Sequence, residues 1–333
     1  MKKLSISAVF FLAVAAGVVS CKKAPQVIDL DSGTATTIVE FANTGDNVSG
    51  ASSKYPRFNT DLGSVGNGKS VKFNVNVSYS GAGVAPEDIT VNLAIDADAL
   101  TLYNTQNASG YVAPPTAIYS FPNTVVIKKG THQSTIEVVI TNNASFDFNK
   151  NYALPLKIAS ASYGVISGNF GKAIYSFSAR NAYDGLYTME ATAPMVDVTS
   201  TSLTGYYPLT MALITFTGNS VALYDVNGVY SKNYFHPILS GGTSVSAYGT
   251  FSPVFYFDQT TGKVTSVGNY YGANAGGNLR SGVIDPTGVN QATFNADGSI
   301  KSFQVSYIMT QSITVPNDPR TYFKEKFTFK SAR

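Results

Sequence analysis

Apolar and polar residues alternate with a period of two along much of the chain, the mark of strands with one buried and one wet face. Val71, Phe73, Val75, Val77 and Tyr79 are separated by Lys72, Asn74, Asn76 and Ser78, and Ile89, Val91, Leu93 and Ile95 repeat the pattern. Further copies fall at residues 125–127, at Ile136, Val138 and Ile140, at Tyr152, Leu154, Leu156 and Ile158, and at residues 173–178. Gly81-Ala82-Gly83, Pro114-Pro115, Lys129-Gly130 and Asn142-Asn143 supply turn chemistry between them. Pro155 cannot donate to a ladder, so its strand is expected at an edge or at a bulge. No window carries an amphipathic helical period. Seven or so short strands predict an immunoglobulin-like β-sandwich over residues 38–180.

After Asp184-Gly185 the pattern changes to longer strands and tight turns. Asn227-Gly228 separates residues 221–226 from 229–235, Thr261-Gly262 separates 254–257 from 263–267, and Asp297-Gly298 separates 292–294 from 300–309. Two-residue signals flanked by β-formers predict hairpins. Residues 181–333 therefore read as a second antiparallel β domain, either a barrel or a sandwich, and the pattern leaves both open. No fixed repeat is present, which excludes a solenoid or propeller.

The N-terminus departs from this all-β pattern. Lys2 and Lys3 precede an apolar run over residues 6–19, about 14 residues against the roughly 20 that span a bilayer. The run ends in Val18-Val19-Ser20-Cys21, which resembles the lipobox of bacterial lipoproteins. The resemblance implies that residues 1–20 are a signal peptide and that Cys21 is acylated and anchors the chain to a membrane. Cys21 is the only cysteine, so no disulfide within the chain competes for it. Residues 21–37 then read as a lipidated tether, with Pro25, Gly33 and small polar residues.

Charge narrows the partners. Setting aside Lys2 and Lys3 leaves 21 basic against 20 acidic residues, and no basic patch argues for nucleic acid. The charged share is 13%, with 21 Tyr and 20 Phe, which suits an exported β-protein or a surface for uncharged polar ligands. His132 and His236 show no metal spacing, and no Gly-x-Ser-x-Gly turn occurs. No catalytic residue, metal site or cofactor is expected. Glycoside hydrolysis needs only two suitably placed carboxylates, so Asp184, Glu190, Asp197, Asp225, Asp258, Asp285, Asp318 and Glu325 keep a hydrolase as a third reading.

Two segments carry a family resemblance. The first holds Tyr103-Asn104, Tyr111, Pro114-Pro115, Tyr119, residues 124–130 and Tyr152-Ala153-Leu154-Pro155-Leu156. The second holds residues 284–290 (IDPTGVN) and 320–327 (RTYFKEKF). They resemble surface lipoproteins of Bacteroidetes of unknown function that have an N-terminal immunoglobulin-like domain and are often encoded in polysaccharide-utilisation loci. The resemblance implies an outer-membrane location, a polysaccharide or oligosaccharide ligand, and an outer-membrane transporter complex as partner. Lys22-Lys23 follows Cys21 in place of the acidic run that marks export to the outer face, which leaves the cell surface and the periplasmic face both open.

The ligand site is expected in the second half. Residues 268–280 (GNYYGANAGGNLR) form a Gly-rich loop with Tyr270, Tyr271, Asn274, Asn278 and Arg280, and Tyr234 is a further candidate. A sugar offers an apolar ring face edged by hydroxyls, which flat aromatics and amide or guanidinium donors match. A non-catalytic glycan-binding accessory protein is the leading reading. A structural or adhesin-like lipoprotein that binds a protein partner is the alternative.

Overall fold

The computed structural model describes residues 37–42, 46–81, 83–314 and 319–333. The expected signal peptide over residues 1–20, the expected lipidation at Cys21 and nearly all of the expected tether lie outside them. Two sheets lie within residues 38–180, and two more begin after Gly185.

The N-terminal pair is a sandwich. Its five-stranded sheet centres on Ser70–Ser80, flanked by Ile38–Phe41 and Gln133–Thr141. The six-stranded sheet places Lys172–Arg180 and Tyr152–Ala161 at its centre. The alternating residues named above close on each other: Phe73, Val75, Val77, Ile89, Val91, Ile136, Val138, Leu154 and Leu156 form one core. Ile38–Phe41 and Arg57–Ser64 each make a parallel pairing, with Val165–Ile166 and Lys172–Arg180.

Two expectations are corrected here. The strand carrying Pro155 is interior, paired with Lys172–Arg180 on one side and Ile89–Ile95 on the other, so the edge is excluded. The bulge is present in the same strand at Ala159, between Ile158 and Ser160, which face Leu93 and Asn92. The ring is tolerated because the partner strand ends at Ile95, and the Asp96 amide donates to the Pro155 carbonyl at 3.0 Å. The missing N–H therefore falls where no acceptor waits. The second correction is a helix, Ala97–Asn107. Asp96 caps it, accepting from the Ala99 amide at 3.1 Å, and Ala108 ends it in the left-handed conformation at φ 48°. Only Ala99, Leu100 and Tyr103 are buried, against Tyr55, Ala153 and Ile174. So narrow an apolar stripe gives a weak period.

Asp96 links cap, helix and sheet. Lys172 Nζ lies 2.7 Å from its carboxylate, and Lys157 Nζ 3.8 Å. Burial raises the carboxyl's pKa, but the bonds from Lys172 and the Ala99 amide outweigh it and hold it below the ordinary 3.8. A carboxyl depressed in the folded state stabilises it fully above the ordinary value, and that stability is lost as pH falls through the folded value. Asp96→Ala is expected to lower the stability of the N-terminal domain by about 1–2 kcal/mol at neutral pH. In thermal melts the gap to wild type should close only below about pH 4. A gap unchanged at about pH 2.5 would contradict the assignment.

In the C-terminal half one large sheet curls into a nearly closed barrel, which decides between the two alternatives. Its strands run in the order Val264–Asn269, Pro253–Phe257, Ser220–Tyr224, Leu209–Thr217, Gly185–Ala191, Pro319–Ser331, Ile300–Gln311 and Arg280–Ile284. The first and last meet at two glycines: a Cβ on Gly282 would stand 2.4 Å from the Gly268 carbonyl oxygen. Only glycine permits that approach. Inward residues Tyr187, Met211, Leu213, Phe255, Phe303, Tyr307, Phe323 and Phe327 fill the interior. A three-stranded sheet, Leu203–Gly205, His236–Ser240 and Ser244–Tyr248, adds Ile238 and Tyr248 to that core.

The Thr261-Gly262 and Asp297-Gly298 turns join antiparallel pairs as expected. Asn227-Gly228 does not. After Tyr224 the chain leaves the barrel and re-enters in the small sheet at His236. Asp225, fully buried, accepts from the amides of Val229, Tyr230 and Ser231 at 3.0, 2.9 and 3.2 Å. Its carboxylate organises a wide loop where the dipeptide alone reads as a two-residue turn.

Candidate functional site

A layer of aromatic rings covers one outer patch of the barrel. The strands beneath it carry small residues on their outward side: Ala212, Ala222 and Val254 lie outside the interior cluster yet are at most 1% exposed. Rings shield them. Tyr256 lies over Gly268, where an added Cβ would stand 3.3 Å from its Cε2. Phe216 meets Tyr256 and Tyr270 edge-on, with centroids 6.5 and 6.0 Å apart.

At the centre of the patch Tyr234 and Tyr270 stack face to face, with centroids 3.7 Å apart and planes 8° from parallel. Tyr224 meets Tyr234 edge-on at 5.0 Å, and Tyr271 meets Tyr270 at 5.2 Å and 90°. The Tyr271 hydroxyl donates to the Tyr234 carbonyl at 3.0 Å, which ties the loop after residue 268 to the loop before His236. Tyr271 keeps 38% of its surface exposed, and Tyr230, beside Phe235, keeps 52%. Burial, then the neighbouring Tyr270, pushes the Tyr234 hydroxyl up to about 12, so it stays a protonated donor at neutral pH.

Asn269 fixes the loop. Buried, it donates to the carbonyls of Thr250 and Arg280 at 2.9 and 3.1 Å and accepts from the Ser252 amide at 3.1 Å. Beyond it, Ala275 and Arg280 exchange backbone bonds at 3.0 and 3.3 Å, and the segment between them is a small projecting turn. Asn274, at φ 53°, and Asn278 are exposed on that projection. The structure thus brings together Tyr234, Tyr270 and Tyr271, with Asn274 and Asn278 on the adjoining projection. Arg280 is not part of this patch: it is 9% exposed and stacks over the inward-facing Tyr248 at 5.3 Å.

Phe216, Tyr224 and Tyr256 belong to the patch but were not singled out from sequence. Their signal is alternation: each falls on the outward side of a strand whose inward residues, such as Leu213, Leu223 and Phe255, form the core.

Inside the barrel lies a polar system that sequence alone does not reveal. Glu325 is fully buried, and three donors reach it: Tyr207 Oη at 2.5 Å, His236 Nε2 at 2.7 Å and Tyr307 Oη at 2.8 Å. Both phenols are pushed well above the ordinary range, by burial first and then by the Glu325 charge. Asp197 holds a second centre, accepting from Tyr248 at 2.5 Å, Thr321 at 3.0 Å and Arg320 at 3.0 Å. Burial raises its pKa, but the hydroxyl bonds from Tyr248, Thr199 and Thr321 prevail and hold it below 3.8. Glu325 faces no opening to a substrate, and its donors fix a fully enclosed carboxylate. Of the other acids singled out, Asp225 holds its own loop as described, Glu190 is exposed, and Asp318 lies outside the described residues. Asp258 and Asp285 accept from amides of their own turns, and Asp184 binds Thr215 at 2.7 Å and Arg333. Among the described residues no cluster of three or more His, Cys, Asp or Glu is gathered as a metal site.

Comparison with known proteins adds the following. A family model described as a "-like, N-terminal domain" matches residues 32–164. No curated protein matches the chain. A structural-genomics protein of unknown function from Bacteroides ovatus is 12% identical, with a TM-score of 0.53 over 89% of this chain and 95% of that one. A second Bacteroides ovatus protein of unknown function is 15% identical, with a TM-score of 0.43 over 87% and 94%. An auxiliary nutrient binding protein from Bacteroides thetaiotaomicron is 16% identical, with a TM-score of 0.37 over 81% and 90%. The first likeness shows a shared fold across nearly the whole of both chains. The N-terminal part of the chain, residues 32–164, is what the family model matches.

Proposed function

We propose that this protein is a non-catalytic, glycan-binding accessory lipoprotein of a polysaccharide-utilisation system, held on the outer membrane through Cys21. The tyrosine patch of the C-terminal domain is its binding surface. One observation carries the reading: the parallel Tyr234–Tyr270 stack, pinned by the Tyr271 hydroxyl, lies partly exposed, and the exposed Asn274 and Asn278 follow it in the same loop. Rings fixed by stacking lose little freedom when a sugar ring lies against them, and neighbouring amides both donate and accept toward its hydroxyls. A shallow platform of rings suits a chain of repeating sugars better than a small ligand, which calls for a deep pocket. The sandwich of residues 38–180 and the tether before it would then hold this surface away from the bilayer, within reach of a transporter partner.

Affinity electrophoresis of the full chain in detergent, through gels containing plant and host polysaccharides, tests the binding. Retardation by at least one polysaccharide is expected, and free migration through a broad panel would overturn the reading. The anchor is tested separately. Cys21→Ser is expected to move the protein from the membrane fraction to the soluble fraction and to abolish incorporation of a labelled fatty acid. Retention in the membrane fraction without label would contradict an acylated Cys21.

A further inference from the structure

Arg280 and Arg320 form a cationic pair at the edge of the barrel interior. Both guanidiniums lie over the Tyr248 ring, with Cζ 5.3 and 5.4 Å from its centroid. Both donate to Gln311 Oε1, Arg280 through Nε at 3.4 Å and Arg320 through Nη1. Only Arg320 has a carboxylate partner, Asp197, and that carboxylate is already shared among Tyr248, Thr199, Ser200 and Thr321. Arg280 has only neutral acceptors among the described residues, namely Gln311 and the Gly249 carbonyl. Two cations therefore share one anion, and Arg280 is only 9% exposed. An ion removed from water and left unpaired is costly, and a cation so placed gains most from an added anion.

A second observation shows where an anion would enter. Gly249 is exposed, and its backbone lies outside the left-handed region, so its conformation does not demand glycine. A Cβ there would have Arg280 Nη1 as its nearest neighbour, at 3.8 Å. The absent side chain leaves space against Nη1, since that nitrogen is the one atom that such a Cβ would meet within 4 Å. For neither arginine does the Nη2 group have an acceptor among the described residues.

We infer that the Arg280–Arg320 pair, open beside Gly249, is a binding site for a planar carboxylate, that of an acidic sugar of the hexuronate class. Guanidinium forks match a carboxylate two bonds at a time, which an ammonium does not. The Tyr248 ring supplies an apolar wall behind them. The sugar part of this assignment rests on the glycan reading given above; the anion part does not.

Calorimetry on the full chain in detergent tests it with trigalacturonate and its neutral counterpart galactotriose. Trigalacturonate is expected to bind at least about tenfold more tightly, with a preference that weakens as salt rises. Arg280→Gln should abolish the preference. Because that variant disturbs buried bonds, Gly249→Leu is the companion: it covers the guanidinium, leaves every charge in place, and should lose the preference while melting as wild type does. Equal affinity for the two trisaccharides, or a preference that survives in both variants, would overturn the inference while leaving the glycan reading intact. If neither trisaccharide binds, free galacturonate decides. A rise in melting temperature that disappears in Gly249→Leu would uphold the anion site without the glycan reading, and no rise would overturn it.

Discussion

Replacing Glu325 by alanine is expected to destabilise the C-terminal domain by about 3–5 kcal/mol, the largest single-residue effect on the fold. The reason is what it leaves behind. Tyr207, His236 and Tyr307 all aim donors at this carboxylate, and Tyr307 and His236 are fully buried, so its removal leaves them without their acceptor. Deleting the side chain also opens a cavity between Phe323 and Phe327, which flank Glu325 on the same face of their strand. Glu325→Gln separates the two contributions. It keeps the volume and one acceptor oxygen, so a smaller loss of about 1–2 kcal/mol is expected. With no Trp in the chain, denaturant unfolding is best followed by circular dichroism together with tyrosine fluorescence. Equal losses for the two variants would mean that the carboxylate's acceptor role alone matters at this position, and a loss for Glu325→Ala with none for Glu325→Gln would mean that packing alone does. A negligible loss for Glu325→Ala would mean that the three donors do not depend on it.

The second large effect concerns binding. Tyr234 and Tyr270 support each other at 3.7 Å, so removing either ring takes away its own face and loosens its partner. Tyr234→Ala and Tyr270→Ala are each expected to weaken glycan binding at least about tenfold, and the double variant by less than the product, because the two rings act as a unit. Tyr271→Phe isolates the tie between the loops. It keeps the ring but loses the bond to the Tyr234 carbonyl, and a loss of about threefold is expected from reduced order in the platform. Stability should change little in Tyr271→Phe, since that hydroxyl is at the surface.

The strands were legible because alternation is a direct image of a half-buried sheet. Residues 71–79 and 89–95 fall inside Ser70–Ser80 and Ile89–Ile95, and their apolar members are the ones buried. Three features were not legible, each for a physical reason. The helix Ala97–Asn107 buries three residues, exposes Thr101 and Thr105 and leaves Asn104, Gln106 and Asn107 half-buried, so its period is faint. Asn227-Gly228 carries hairpin chemistry, but Asp225 takes three amides and opens the turn into a loop. Arg280 belongs to the Gly-rich loop in sequence, yet it begins a strand, and a strand sends alternate side chains to opposite faces.

The His236–Glu325 pair spans 89 residues, a separation at which no local spacing rule applies. One clue was present. In Pro319–Ser331 the charged Glu325 keeps phase with Phe323 and Phe327, so a strand reading puts a carboxylate on the buried face, where it must find donors. The tyrosine patch was half legible. Tyr234, Tyr270 and Tyr271 stood out by type, but their stack depends on two loops meeting across the barrel surface.

The most direct measurement of glycan binding at this patch is calorimetry of the full chain and of its Tyr234→Ala/Tyr270→Ala variant against the polysaccharide that most retards the wild type. Saturable binding by the wild type is expected, with loss of at least about tenfold in affinity for the variant while its circular dichroism spectrum remains that of the folded wild type. Undiminished affinity in a folded variant would contradict the tyrosine patch as the binding surface.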